Sequence, residues 1–169
     1  MNKRIPLSAA SIVPLLAGSC VGDPAVSVPE NARPNIIFIF SDDLGIGDLS
    51  CYGATRVAMP HIDRLAAQGQ RFTNAYATSA TSTPSRFGLL TGMYPWRLPN
   101  TQIAPGNSEL IIDPECHTLA DAMHDAGYVT GAVGKWHLGL GPVGGTDFNV
   151  EIRPDARDIG FDYEYLILA

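Results

Sequence analysis

The sequence predicts an α/β sandwich with a largely parallel central sheet flanked by helices. Strand-like and helix-like stretches alternate along the chain, the usual mark of strands joined through helices. The run from Asn35 to Phe40 is apolar and rich in β-branched residues, the pattern of a strand covered on both faces. With 169 residues, 46% hydrophobic and 17% charged, the chain has enough apolar material for one core.

Residues 1–20 carry the pattern of an export signal. Lys3 and Arg4 precede an apolar stretch from Ile5 to Ala17, which ends in Gly18, Ser19 and Cys20. Pro6 and Pro14 interrupt it, and it is too short to span a bilayer. Its ending, Leu-Leu-Ala-Gly-Ser-Cys, is similar to a bacterial lipoprotein box in which Cys20 would carry lipid. Ala17 stands where leucine is usual, so a soluble periplasmic form and an outer-membrane lipoprotein are both expected outcomes of export. Residues 21–33, with Pro24, Pro29 and Asn31, read as a flexible tether, and order is expected from Pro34.

The apolar run stops at Ser41-Asp42-Asp43, with Gly45 and Gly47 following. Residues 59–69 predict a short helix, with Pro60 near its start, Gly69 after its end, and Ile62, Leu65 and Ala66 as its buried face. Phe72 to Ala77 predicts a strand that delivers the chain into residues 80–92. There Pro84 suits the first helical position, Phe87, Leu89 and Leu90 supply apolar surface, and Gly92 suits a left-handed end. Residues 94–114 hold four prolines and read as a long surface excursion, in which Trp96 and Arg97 could meet a sugar but packing of the indole is the simpler expectation. Thr118 to Asp121 predicts a capping box, Leu119, Ala122, Met123 and Ala126 a helical stripe, and Gly127 its closure. A strand over 128–133 follows, then a glycine-rich flexible loop over 138–149. The chain stops at Leu166-Ile167-Leu168-Ala169 with no terminating signal, from which truncation within a strand is expected.

The net charge of −6 argues against nonspecific nucleic-acid binding, because a basic excess is needed to release counterions from phosphates. Export would permit a Cys51–Cys116 disulfide, which spacing alone cannot establish; two buried small residues are the simpler expectation. No CxxC or Cys/His cluster suggests zinc.

Three groups of residues could carry chemistry. Ser82 lies at the expected positive end of a helix with Arg86 one turn on, an arrangement that suits an anion and an oxygen nucleophile. On that segment alone, helix capping by Ser82 or Thr83 is the commoner explanation. Asp42 and Asp43 stand at the carboxyl end of the expected first strand, where open α/β sheets place ligands. Their repulsion calls for a counterion, and a hard divalent cation or a simple turn account equally for the pair. Lys135 and His137, two residues apart, supply a compact positive charge and a group able to move a proton near neutral pH. Singly, each is more often a surface lysine or a packed histidine.

The order Ser82-x-Pro84-Ser85-Arg86, followed by Leu89-Leu90-Thr91-Gly92, resembles the signature of the sulfatase family in its serine form. The stretch Gly127-Tyr-Val-Thr-Gly-Ala-Val-Gly-Lys-Trp-His137 resembles the family's second signature. The resemblance spans about residues 33–165. It implies an alkaline-phosphatase-like sandwich, of which residues 34–169 would be the amino-terminal part of the catalytic domain and therefore incomplete.

What the resemblance implies about chemistry is specific. Ser82 would be oxidised to formylglycine by a radical-type anaerobic maturase, and the aldehyde hydrate would attack sulfur. The second hydroxyl of the hydrate then lets sulfate leave by C–O cleavage, which a plain serine ester does not allow. Asp42 and Asp43 would ligate calcium or magnesium together with the oxygen at Ser82. Arg86 would hold the hydrate and carboxylates, Lys135 would bind hydrate and sulfate, and His137 would assist proton removal. An aryl or carbohydrate sulfate is the implied substrate. The family's later Asp-Asn metal pair and a further histidine and lysine have no counterparts here, so this chain alone is expected to be weakly active or inactive. Two other readings compete: a phosphodiester or phosphonate ester hydrolase of the same superfamily, and a noncatalytic lipoprotein that binds sulfated glycan.

Overall fold

The computed structural model describes residues 33–168, so the expected signal and all of the tether except Arg33 lie outside the described residues. The chain divides after Phe40 into two units. In the first, residues 33–40 have no regular secondary structure and are exposed, Ile37 and Ile39 most of all. The expected strand over 35–40 is therefore not formed. β-propensity reports fit to a pleated, half-buried surface, and without a paired neighbour an apolar run does not make a strand.

Among the described residues the second unit holds three α-helices, α1 (Pro60–Gln68), α2 (Ser82–Thr91) and α3 (Leu119–Asp125), and two strands, β1 (Gly131–Lys135) and β2 (Tyr163–Ile167). The strands pair in parallel, with Gly131 opposite Tyr163 and Lys135 opposite Ile167. Short 3₁₀ turns occupy Ile46–Asp48, Ser50–Tyr52, Pro95–Arg97 and Ala156–Ile159. None of the described helices is long and apolar enough to cross a membrane.

The helix expectations hold where they rest on local signals. Pro60 opens α1, and Gly92 caps α2 in the left-handed conformation at φ 66°. The Thr118 hydroxyl accepts from the amides of Ala120 and Asp121, while Asp121 accepts from the Thr118 amide at 2.8 Å, completing the capping box. Pro84 is the third residue of α2 and not the first, still within the turn whose amides lack helical partners. The buried face expected for α1 is not buried among the described residues: Ile62 and Leu65 are exposed.

Strand expectations shift for nonlocal reasons. No strand forms over 72–77, where Phe72 and Tyr76 are exposed. β1 begins three residues later than 128–133 implies. Thr130 sets this start: its amide donates to Asp162 Oδ2 at 2.8 Å and its hydroxyl to the Gly160 carbonyl at 2.8 Å, so pairing begins just beyond the clamp. The hydrogen bond from the Thr130 amide to Asp162 Oδ2, joined by a contact from the Thr130 hydroxyl to the same oxygen at 3.1 Å, also holds the Asp162 carboxyl below its ordinary pKa.

The core gathers Phe87, Ile112, Trp136, Leu138, Leu140, Ala156 and Ile159, with Phe161 edge-on to Trp136 at 6.2 Å between ring centroids. Two of these seven residues, Leu138 and Leu140, come from the stretch expected to be a flexible loop. Leu138 and Leu140 are buried, and this stretch pairs with 108–111: Ile111 donates to the Leu138 carbonyl at 3.0 Å and Leu140 to the Ser108 carbonyl at 2.9 Å. Gly139 makes the pairing possible. Its φ is +69°, and a Cβ there would lie 1.8 Å from the Glu109 carbonyl oxygen. Cys51 and Cys116 are both free thiols, half-buried; burial pushes the Cys116 thiol up, with Asp113 and Asp121 adding to the effect.

Asp155 caps the turn Ala156–Ile159 and is 2% exposed. Burial pushes its carboxyl up, but hydrogen bonds from the Arg157 side chain and amide and the charges of Arg153 and Arg157 outweigh this and hold it below the ordinary value. A depressed folded pKa stabilises the fold above the unfolded value of about 3.9 and loses that contribution as pH falls through the folded pKa. The unfolding temperature is thus expected to drop on acidification below roughly pH 4. Asp155→Asn should flatten that slope, and an unchanged slope would refute the assignment.

Candidate active site

Helix α2 begins the site. Its N-cap is Thr81, whose side chain makes no capping bond, and Ser82 is the first helical residue. Ser82 is therefore not the cap that its position suggested. Four residues later on the same face, Arg86 Nε donates to Ser82 Oγ at 2.9 Å. From 55 positions further along the chain, His137 Nδ1 lies 2.9 Å from the same oxygen.

The two contacts on Ser82 complement each other. His137 Nε2 lies 3.0 Å from the Ala104 carbonyl, which only accepts, so Nε2 carries the proton. In the neutral ring Nδ1 is then the acceptor, and the Ser82 hydroxyl donates to it while accepting from Arg86. Hydroxyl, guanidinium and imidazole form a directed chain that polarises Ser82 towards loss of its proton.

Asp42 closes the other side. Lys135 Nζ, at the end of β1, donates to Asp42 Oδ2 at 2.6 Å, and Arg86 Nη2 lies 3.8 Å from Asp42 Oδ1. Arg86 Nη1 also donates to the Lys135 carbonyl at 2.6 Å, so one guanidinium ties Ser82, Lys135 and Asp42 together. The hydrogen bond from Lys135 holds the Asp42 carboxyl below its ordinary pKa; partial desolvation opposes this, and the charges of Lys135, Arg86 and His137 reinforce it.

Asp43 is exposed and adopts a left-handed backbone at φ 54°, a conformation that aspartate tolerates better than most residues. Asp48 is a turn residue, as its position suggests, accepting from the Gly45 amide at 2.9 Å. The structure thus brings Ser82, Arg86, Lys135, His137 and Asp42 into one contact network, with Asp43 beside Asp42 in sequence.

The donor types at Asp42 and Asp43 suit a hard cation. Calcium takes roughly six to eight oxygen ligands, however, and among the described residues no group of three or more His, Cys, Asp or Glu could hold an ion. Asp42 and Asp43 fit such an ion in kind and would supply only part of its shell. An ion taking Asp42 Oδ2 would compete with Lys135 for that oxygen.

Two contributors stand outside the residues the sequence marked for chemistry: the Ala104 carbonyl, from the proline-rich excursion, meets the imidazole, and Thr83, expected only as a capping residue, is wholly buried. Trp96 is 70% exposed and stacks on Tyr94 with ring centroids 4.1 Å apart, so the indole is not packed into the core.

A family model described as Sulfatase matches residues 34–163. The chain is 77% identical over 137 residues to an N-acetylgalactosamine-6-O-sulfatase of Bacteroides thetaiotaomicron, a match covering 81% of this chain and 27% of the relative. It is 46% identical over 114 residues to human Arylsulfatase A, covering 66% of this chain and 22% of that protein. A solved structure from work on glycosaminoglycan metabolism by Bacteroides thetaiotaomicron superposes with a TM-score of 0.80 at 77% identity, covering 81% of this chain and 28% of that one. The chain spans about a quarter of the length of these relatives.

Proposed function

Since the chain belongs to the sulfatase family and has the α/β, alkaline-phosphatase-like fold of its structures, we propose that the full-length protein hydrolyses sulfate esters of a glycan at Ser82. The observation that carries this reading is the Ser82 oxygen held at 2.9 Å by both Arg86 Nε and His137 Nδ1. The 77% identity to an N-acetylgalactosamine-6-O-sulfatase supports a 6-O-sulfated amino sugar as substrate.

In this reading Ser82 is a modification site. Its conversion to formylglycine by a radical-type maturase supplies an aldehyde carbon from which sulfate can leave without a second attack at sulfur. Calcium or magnesium, held in part by Asp42 and Asp43, supplies positive charge for sulfate oxygens. The chain's own residues do the rest. Arg86 orients the oxygen at position 82 and keeps Asp42 beside it. Lys135 presents its ammonium to a sulfate oxygen. His137 Nδ1 takes the proton of the hydrate hydroxyl that does not carry sulfate, so that sulfate leaves by C–O cleavage and the aldehyde is restored. Export to the periplasm, with Cys20 as a lipid anchor, belongs to the same proposal and rests on the residue pattern of 1–20.

Mass spectrometry of protein from its native host provides the test. The peptide holding Ser82 is expected to be lighter by a pair of hydrogens, and the same spectra report lipid on Cys20. The matured protein should release sulfate from 6-O-sulfated N-acetylgalactosamine and from an aryl sulfate, and should leave an aryl phosphodiester intact; residues 1–169 alone should release little. Unmodified serine with no sulfate release would overturn the reading and favour a glycan-binding protein. Turnover of the phosphodiester alone would favour the phosphoesterase.

A further inference from the structure

Thr83 has no exposed surface, yet it is polar and lies beside Ser82 in the first turn of α2. Its hydroxyl donates to the His137 carbonyl at 2.9 Å and accepts from the Ala104 amide at 3.1 Å. Those two residues are the ones that meet at the imidazole: His137 bears the ring, and the Ala104 carbonyl receives its Nε2. We propose that Thr83 is a positioning residue that, through these two backbone bonds, sets which imidazole nitrogen faces Ser82.

Three constraints meet on His137. The backbone of His137 is left-handed, at φ 54°, a conformation a residue with a Cβ adopts only when its surroundings impose it. Thr83 imposes it by engaging the carbonyl. The ring needs an acceptor at Nε2; the Ala104 carbonyl provides one, and Thr83 anchors the same residue at its N–H. Ser82 meets Nδ1, so adjacent residues of one rigid helix turn hold both the backbone and the ring of His137. Without the Thr83 hydroxyl, the Ala104 N–H and the His137 carbonyl lose a buried partner, and the residue whose carbonyl fixes the tautomer loses its anchor.

This inference rests on the sulfatase reading for its catalytic consequence only; the tautomer can be measured without turnover. The experiment uses the full-length protein with Ser82 unmodified and its histidines labelled with nitrogen-15, at a pH where the nitrogen shifts themselves report a neutral ring. His137→Gln assigns the resonance. Wild type is expected to show the proton on Nε2. Thr83→Val, which keeps the shape, should give a mixture or the Nδ1 form, and Thr83→Ser should restore the wild-type signal. In matured protein, Thr83→Val should lower kcat about 10²-fold with little change in KM, since small misplacements of a catalytic group cost that much, and Thr83→Ser should recover most of it. Thr83→Ala, which cannot clash, is read in the same way if the valine variant fails to fold.

A valine or alanine variant with the wild-type tautomer and kcat would overturn the proposal, as would loss of the fold in both, which would make the role structural. No sulfatase activity in the wild-type protein, together with the expected tautomer shift in Thr83→Val, would sink the functional reading and leave the role of Thr83 in place.

Discussion

Ser82→Ala in the full-length protein is expected to reduce sulfate-ester turnover by at least about 10³-fold while leaving the unfolding temperature nearly unchanged. The first half follows from removing the atom on which Arg86 and His137 converge, since loss of a nucleophile from a unit of cooperating groups removes nearly all the catalysis the unit provides. The second half separates catalysis from capping. A true N-cap hydroxyl contributes about 1 kcal/mol of helix stability, but Ser82 lies inside the helix, with Thr81 in the capping position. A variant that kept its activity, or one that lost stability in proportion to activity, would show that Ser82 serves the helix. Initial rates and thermal unfolding on the same preparation decide the matter.

Gly139→Ala is expected to destabilise the fold by roughly 3–5 kcal/mol, combining a clash in a packed region with a left-handed backbone imposed on alanine. Gly92→Ala is the control. The two glycines have nearly equal φ, +69° and +66°, but a Cβ at 92 meets nothing within 4 Å whereas one at 139 would lie 1.8 Å from the Glu109 carbonyl oxygen. The control should therefore cost only the backbone term, about 1–2 kcal/mol. Denaturant unfolding of both variants measures the difference. Equal losses would mean that the 108–111 backbone yields easily, and that the pairing of 138–141 contributes little to the core.

The pattern of success and failure in reading the elements has a physical origin. Pro60, Gly92 and the Thr118–Asp121 box mark helix ends through bonds and dihedral limits within a few residues, so they are legible in order along the chain. The run 35–40 and the segment 72–77 have strand-like composition but no strand, because a ladder needs a second chain segment at the right place. Leu138 to Gly141 shows the converse. Its glycines suggest mobility, and only the approach of Glu109 turns them into a requirement for close packing.

The sequence by itself determined the chemical groups of the site and one of its contacts: Ser82 and Arg86, four residues apart, meet on a helix face wherever that helix lies. The two signature stretches were enough to indicate the family that the comparisons then showed. Tertiary structure alone decided the remainder. Lys135 reaches Asp42 across 93 positions, His137 reaches Ser82 across 55, and a backbone carbonyl at Ala104 chooses the nitrogen that faces Ser82. Side-chain identity specifies what a group can donate or accept, but partners distant in sequence meet only when the chain closes on its core, and no local pattern records that closure.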